Sequence, residues 1–335
     1  MFESSAFHPD ILKKQIFEII TDQDFNETAL DVFRFQFQNN EVYRRYAGLI
    51  NIAPDAVKHY SEIPFLPVEL FKSQAVVSSA GTPARIFKSS GTTGQIQSSH
   101  YVFDEILYQK SIAACFKIFF GEIRDYTILG LVPDVKTRPE SSLAYMTDML
   151  ISISENEESG IFLGNEAVLE QKINELSEQK KKVMLIGLSY ALLDMAEKFP
   201  VRAPELIVVE TGGMKGRREE LIREQLHERL CAGFGVSKIY SEYSMSELLS
   251  QAWSKGNGIF NVPPWMKVLT RDAADPFTLL NAGERGGINI IDLANIYSCS
   301  FLSVQDTGTV HDDGSFEIAG RFDNSDLRGC SLLLS

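Results

Sequence analysis

Three short runs of almost unbroken apolar residues do most to fix the fold class: residues 126–132 (YTILGLV), 183–188 (VMLIGL) and 206–209 (LIVV). Each is too short for an ordinary helix, and none alternates polar with apolar residues as a strand with one wet face does. Strands covered on both faces remain, which is the condition of a parallel sheet between layers of helix. Helical periods separate them, including a charged, surface-type stretch over residues 166–182. The alternation from about residue 128 onward is that of an α/β fold, and such sheets bind ligands in the crevice at the carboxyl ends of their strands. Here those ends read Pro133-Asp134, Ser189-Tyr190 and Thr211-Gly212-Gly213.

A second feature lies upstream, at Phe87-Lys88-Ser89-Ser90-Gly91-Thr92-Thr93-Gly94-Gln95. Its two glycines let backbone N–H groups turn toward an anion, and its four hydroxyls adapt to phosphate oxygens. Residues 84–87 predict a short strand before the loop, and residues 104–120 a helix after it with Asp104 as N-cap. The loop lacks the Gly-Lys-Ser/Thr of a Walker sequence and the Gly-x-Gly-x-x-Gly spacing. As composition alone, such a run is equally an ordinary turn.

As a string, Ser-Ser-Gly-Thr-Thr-Gly resembles the phosphate-binding signature of the adenylate-forming superfamily of acyl-CoA synthetases, luciferases and peptide-synthetase adenylation domains. Thr211-Gly212-Gly213 resembles the glycine loop beside adenine. Residues 240–247 (YSEYSMSE) are similar to the Tyr-Gly-x-Thr-Glu element, Tyr243 and Glu247 matching while Ser244 and Ser246 replace Gly and Thr. Asp306-Thr307-Gly308 resembles the ribose-binding step and Gly320-Arg321-Phe322-Asp323 the hinge. Residues 63–72 (IPFLPVELFK), Ser98-Ser99-His100 and Arg328-Gly329-Cys330 look like acyl-protein synthetases of the LuxE type, which ligate fatty acids to protein. The resemblance runs from about residue 60 to residue 335.

That resemblance implies an α/β fold like the N-terminal domain of adenylate-forming enzymes, with mixed and parallel sheets flanked by helices and a small C-terminal β subdomain. The expected organisation is a helical region over 1–60, an α/β nucleotide- and acyl-binding core over 61–255, and a β-rich subdomain with a C-terminal arm over 256–335. It implies ATP and Mg²⁺ as cofactors. Ser89, Ser90, Gly91, Thr92, Thr93 and Gly94 would hold phosphate, Ser246 the α-phosphate, and Glu247 the metal. Tyr243, Gly212 and Gly213 would flank adenine, Asp306 would accept both ribose hydroxyls, and Arg321 would add a charged contact to ribose or phosphate. His100, just past the loop, is a candidate contact to phosphate or to the acyl carboxylate. Fourteen residues follow Arg321, so the lid that carries the superfamily's assisting lysine is expected to be absent, with Lys88, His100 and Lys215 as substitutes. Cys330, with Arg328 beside it to favour thiolate, occupies the place of the acyl-carrying cysteine of LuxE-type proteins.

The net charge of −13, from 32 basic and 45 acidic residues, disfavours nucleic acid and anionic membrane surfaces as partners. No apolar window is long enough to span a membrane and residues 1–10 lack a signal-peptide pattern, so a cytoplasmic protein is expected. Cys115, Cys231, Cys299 and Cys330 show no zinc-ligand spacing, and Cys115 lies in an apolar helical stretch where a thiol packs as a small hydrophobe. The expected reaction is ATP-dependent activation of a carboxylic acid, a fatty acid, with transfer to Cys330 and on to a protein acceptor such as an acyl reductase or carrier protein. An acid:CoA ligase without its lid, similar to phenylacetate-CoA ligases, is the enzymatic alternative. A catalytically degenerate nucleotide-binding or scaffold protein is the other.

Overall fold

Local capping signals set the helix starts near the N-terminus. Helix α1 (Pro9–Gln15) is followed by α2 (Asp22–Asn39), which opens with a reciprocal capping box: Thr21 Oγ1 accepts from Asp24 N and Asp24 Oδ2 accepts from Thr21 N at 2.8 Å. Helix α3 (Glu41–Leu49) is capped by Asn40, whose Oδ1 accepts from Tyr43 N at 3.0 Å. A two-residue strand, β1 (Leu66–Pro67), comes next. The chain is known from a computed structural model that describes residues 8–90, 96–214, 218–219 and 221–322. Its contacts divide it into two units, residues 1–81 with 264–335 and residues 82–263.

The second unit begins with an antiparallel hairpin of β2 (Arg85–Lys88) and β3 (Ser99–Val102), in which Phe87 faces His100. Helix α4 (Glu105–Phe120) follows, capped as expected by Asp104, whose Oδ1 accepts from Leu107 N at 2.9 Å. Then come β4 (Thr127–Leu131), α5 (Ser142–Ser154), β5 (Gly160–Ile161), α6 (Glu166–Glu178), β6 (Val183–Leu188), α7 (Ser189–Lys198), β7 (Ile207–Thr211), α8 (Arg223–Phe234), β8 (Tyr240–Tyr243), β9 (Ala252–Ser254) and β10 (Ile259–Asn261). Their sheet runs β10-β9-β8-β7-β6-β4-β5, parallel from β5 to β8 and antiparallel from β8 to β10. Every residue of β4 and β6 is buried, as their unbroken apolar sequences require. Leu169, Ile173 and Leu176 of α6, Leu192 and Met195 of α7 and Leu226 and Leu230 of α8 pack a core against Leu185 and Val208. Cys115 lies in the core, fully buried on α4.

The chain then returns to the first unit for β11 (Met266–Arg271), β12 (Arg285–Asp292), β13 (Phe301–Val310) and β14 (Phe316–Arg321), an antiparallel sheet in that order, with β1 parallel to β13 at Leu302 and Ser303. Helices α2 and α3 are tied to the start of β13: the Gln36 amide donates to the Asn295 and Ile296 carbonyls and accepts from Ser300 N, all at 3.0 Å, and Tyr43 stacks on Phe301. A bulge separates Thr307 from Gly308. Any side chain at 308 would place its Cβ 2.0 Å from the Glu317 carbonyl oxygen, so this close crossing needs glycine. Among the described residues no helix is long and apolar enough to cross a membrane.

Candidate active site

The β2–β3 hairpin narrows at Ser89 and Ser98. Ser89 and Ser98 face each other, Ser89 N donating to Ser98 O at 3.3 Å and Ser98 N donating to Ser89 Oγ at 3.0 Å, while Gln97 Nε2 donates to the Ser89 carbonyl. The Ser98 hydroxyl is buried and makes no hydrogen bond among the described residues. Below the neck, Phe87 is fully buried with ring centroids 5.6 Å from both Tyr108 and Tyr145. Arg85 Nη2 and the Tyr145 hydroxyl both donate to Glu105 Oε1, at 2.9 and 2.7 Å. Burial pushes the Tyr145 phenol up to about 12, so it stays a donor.

His100 joins this hairpin to the segment that follows β8. It is 1% exposed, and its Nδ1 lies 2.8 Å from the Ser246 carbonyl oxygen. A carbonyl only accepts, so Nδ1 carries the hydrogen. The bond holds the Tyr243–Glu247 segment against the neck of the loop, with Glu247 buried and Ser246 half-buried. Tyr243 ends β8 with its ring edge-on to Phe260 at 5.9 Å.

At the end of β7, Gly212 and Gly213 both adopt left-handed backbone, φ 72° and 65°. Two consecutive residues there turn the chain without side chains. A Cβ on Gly213 would meet no atom within 4 Å, so it is the backbone conformation that selects the glycine.

Strands β7 and β8 also carry two carboxylates that the sequence reading passed over, Glu210 partly buried and Glu242 buried. Glu210 on β7 accepts from Ser189 Oγ at 2.7 Å, and His227 Nε2 of α8 stands 3.7 Å from its Oε1, too long for a hydrogen bond but close enough for charge attraction. Burial alone would raise Glu210; His227, Ser189 and Ser241 outweigh it and hold the carboxyl below its ordinary value. Glu242 on β8 accepts from Thr211 Oγ1 at 2.6 Å. Burial pushes its carboxyl up, the Ser244 and Thr211 hydroxyls oppose the rise, and the charge of Glu210 adds to it. Neighbouring environments thus drive the two acids apart. In the other unit, Asp306 and Arg321 are cross-strand partners, Arg321 Nε donating to Asp306 Oδ1 at 3.0 Å.

The family description acyl-protein synthetase, LuxE, matches residues 2–335. The chain belongs to that family. No curated protein matches it. Among solved structures, ATP-bound MatB from Rhodopseudomonas palustris is similar at TM-score 0.54 and 14% identity over 74% of this chain and 49% of its own. A 2-hydroxyisobutyryl-CoA ligase in the postadenylation state gives 0.67 and 15%, over 90% of this chain and 68% of that one, and the same ligase with 2-HIB-AMP and CoA gives 0.64 and 16% over 96% and 70%. The chain spans about half the length of MatB. At these identities the likeness establishes the fold, which is that of adenylate-forming enzymes.

In this LuxE-family chain the fold draws Ser89, His100, Ser246 and Glu247 together through the hairpin neck and the His100–Ser246 bond. Ser90 is exposed beyond the neck and Lys88 is exposed at the end of β2. Gly91, Thr92, Thr93, Gly94, Lys215 and Cys330 lie outside the described residues. Asp306 and Arg321 belong to the first unit, the other candidates to the second. Glu210 and Glu242 had one signal in the sequence, an acid at the end or in the middle of a strand. Their partners Ser189 and Thr211 were legible only as strand-end residues, and His227, on α8, carried no signal. Leaving a buried polar atom unpaired costs about 1–3 kcal/mol.

Proposed function

We propose that the protein activates a carboxylic acid, a fatty acid, by joining it to the α-phosphate of ATP. The acyl group then passes to Cys330 and from there to a protein acceptor. In the first step a carboxylate oxygen bonds to the α-phosphorus and pyrophosphate leaves; in the second the Cys330 thiolate bonds to the acyl carbon and AMP leaves; in the third the acceptor's nucleophile takes the acyl group and the thiol is restored. The hydroxyls and amides of residues 89–94 are assigned to phosphate, Gly212, Gly213 and Tyr243 to adenine, and Asp306 with Arg321 to ribose. Glu247 offers Mg²⁺ the single hard oxygen donor that such a site asks of a protein when phosphates and water supply the rest. An ion held there by Glu247 would supply positive charge to offset that of the phosphates.

The observation that carries this reading is the His100–Ser246 hydrogen bond, because it couples the hydroxyl-rich loop to the segment bearing Glu247. Membership in the acyl-protein synthetase family supports a protein acceptor. A second reading, transfer to CoA, is favoured by the similarity to a ligase whose structure holds 2-HIB-AMP and CoA. Incubation with ATP, Mg²⁺ and a radiolabelled saturated fatty acid tests both. Covalent label on the wild type that is lost in Cys330→Ala supports the thiol carrier, equal labelling of the two ends it, and an acyl-CoA product when CoA is added favours the second reading. If no acid elicits pyrophosphate release, activation itself is wrong.

A further inference from the structure

One face of the β7–β8–β9 sheet carries buried polar groups whose hydrogen-bonding capacity is only partly used among the described residues. Glu242 and Trp253 are direct partners across the antiparallel β8–β9 pair, so their side chains leave the sheet on the same face. Thr211 reaches that face from β7, donating to Glu242, and Ser244 and Gln251 directly flank the two strands. Glu242, Gln251 and Trp253 are 5%, 2% and 1% exposed. Yet Glu242 Oε1, Gln251 Oε1 and Trp253 Nε1 make no hydrogen bond among the described residues. Helix α4 covers this face, the Phe120 ring standing edge-on to Trp253 at 5.0 Å and Cys115 Sγ donating to the Gln251 carbonyl at 3.1 Å. Buried polar atoms are ordinarily paired with protein, water or ligand, and three in one patch call for a common partner.

An acceptor and a donor on directly paired residues can be satisfied together by one group that both gives and takes a hydrogen bond, and the smallest such group on an organic acid is a hydroxyl. We infer that this row is a specificity subsite for a hydroxyl borne by the carboxylic acid. Glu242 Oε1 or Gln251 Oε1 accepts a hydrogen bond from the hydroxyl, and Trp253 Nε1 donates to the hydroxyl oxygen. The inference deepens the activation reading and rests on it for the class of ligand. An unsubstituted chain leaves the row unpaired, and a site built on hydrogen bonds rejects an analogue that lacks the group far more strongly than an apolar pocket rejects one methylene.

The test is acid-dependent pyrophosphate release with hexadecanoate and its 2-hydroxy, 3-hydroxy and ω-hydroxy derivatives. At least one hydroxylated acid should exceed the parent in kcat/KM by about tenfold or more. Glu242→Leu and Trp253→Phe should each bring that ratio toward one. Trp253→Phe keeps most of the aromatic volume against Phe120, and circular dichroism with the thermal midpoint establishes that each variant is folded. A wild type that uses the parent acid as well as every derivative overturns the inference, leaves activation standing, and means that the row holds water only. If no acid is activated, calorimetric titration of the same acids still decides: tighter binding of a hydroxylated acid by wild type than by Trp253→Phe supports the subsite, and equal binding overturns it.

Discussion

At the scale of single residues, His100 is the side chain on which the site's geometry most depends. Its Nδ1–H bond to Ser246 O spans 146 residues of sequence inside the second unit. Removing it strands a carbonyl acceptor, so His100→Ala should lower stability by about 1–3 kcal/mol in a urea titration and reduce acid-dependent pyrophosphate release more than stability alone explains. Release equal to wild type in the folded variant would remove His100 from the functional account. Glu210 and Glu242 give opposite pH signatures. Glu242 is raised above its ordinary 4.5, so the folded state holds its proton more tightly than the unfolded state, and stability falls as pH rises from that value through the raised one. Glu210 is lowered, so its contribution is present above 4.5 and is lost as pH falls through the depressed value. Urea midpoints between pH about 4 and about 8 should show Glu242→Gln gaining on wild type as pH rises and Glu210→Gln losing ground. Parallel curves for wild type and Glu242→Gln would contradict the assignment.

Among the elements, the hairpin is held from below by aromatic packing. Phe87 is fully buried between Tyr108 of α4 and Tyr145 of α5, and Arg85 lies 4.4 Å over the Tyr145 ring. Phe87→Ala should cost about 3–5 kcal/mol of stability, read from the denaturation midpoint; a cost under about 1 kcal/mol would mean that the hairpin is not anchored there. The strand before residue 89 and the helix from residue 105 were legible in the sequence, down to Asp104 as the cap, because an N-cap is local chemistry. The role of His100 was not, since its partner is a backbone carbonyl with no side-chain identity. Gly308 belongs to the same scale. Its matching sequence step reads as a ribose contact, but the structure adds a packing reason, and Gly308→Ala should weaken the β13–β14 pair and lower the thermal midpoint.

For the molecule as a whole, ATP offers a linkage test. A ligand that binds only the native state at about 100 times its Kd adds about 2.7 kcal/mol. Asp306→Asn, in the first unit, should lose most of the ATP-induced rise in thermal midpoint; an undiminished rise would dismiss the ribose assignment. The apolar runs, the hydroxyl-rich loop and the ordered motifs were enough to specify an α/β adenylate-forming fold and its family, because strand burial and short sequence motifs are written in contiguous residues. Tertiary structure alone decided that the N-terminal helices and C-terminal strands share one unit, through Gln36, Asn40 and Tyr43 reaching residues 295–301. It alone also set Glu242 opposite Trp253 and His227 beside Glu210. Strand register and helix packing bring distant residues to one place, and no local pattern in a chain records which of its polar groups will be buried together.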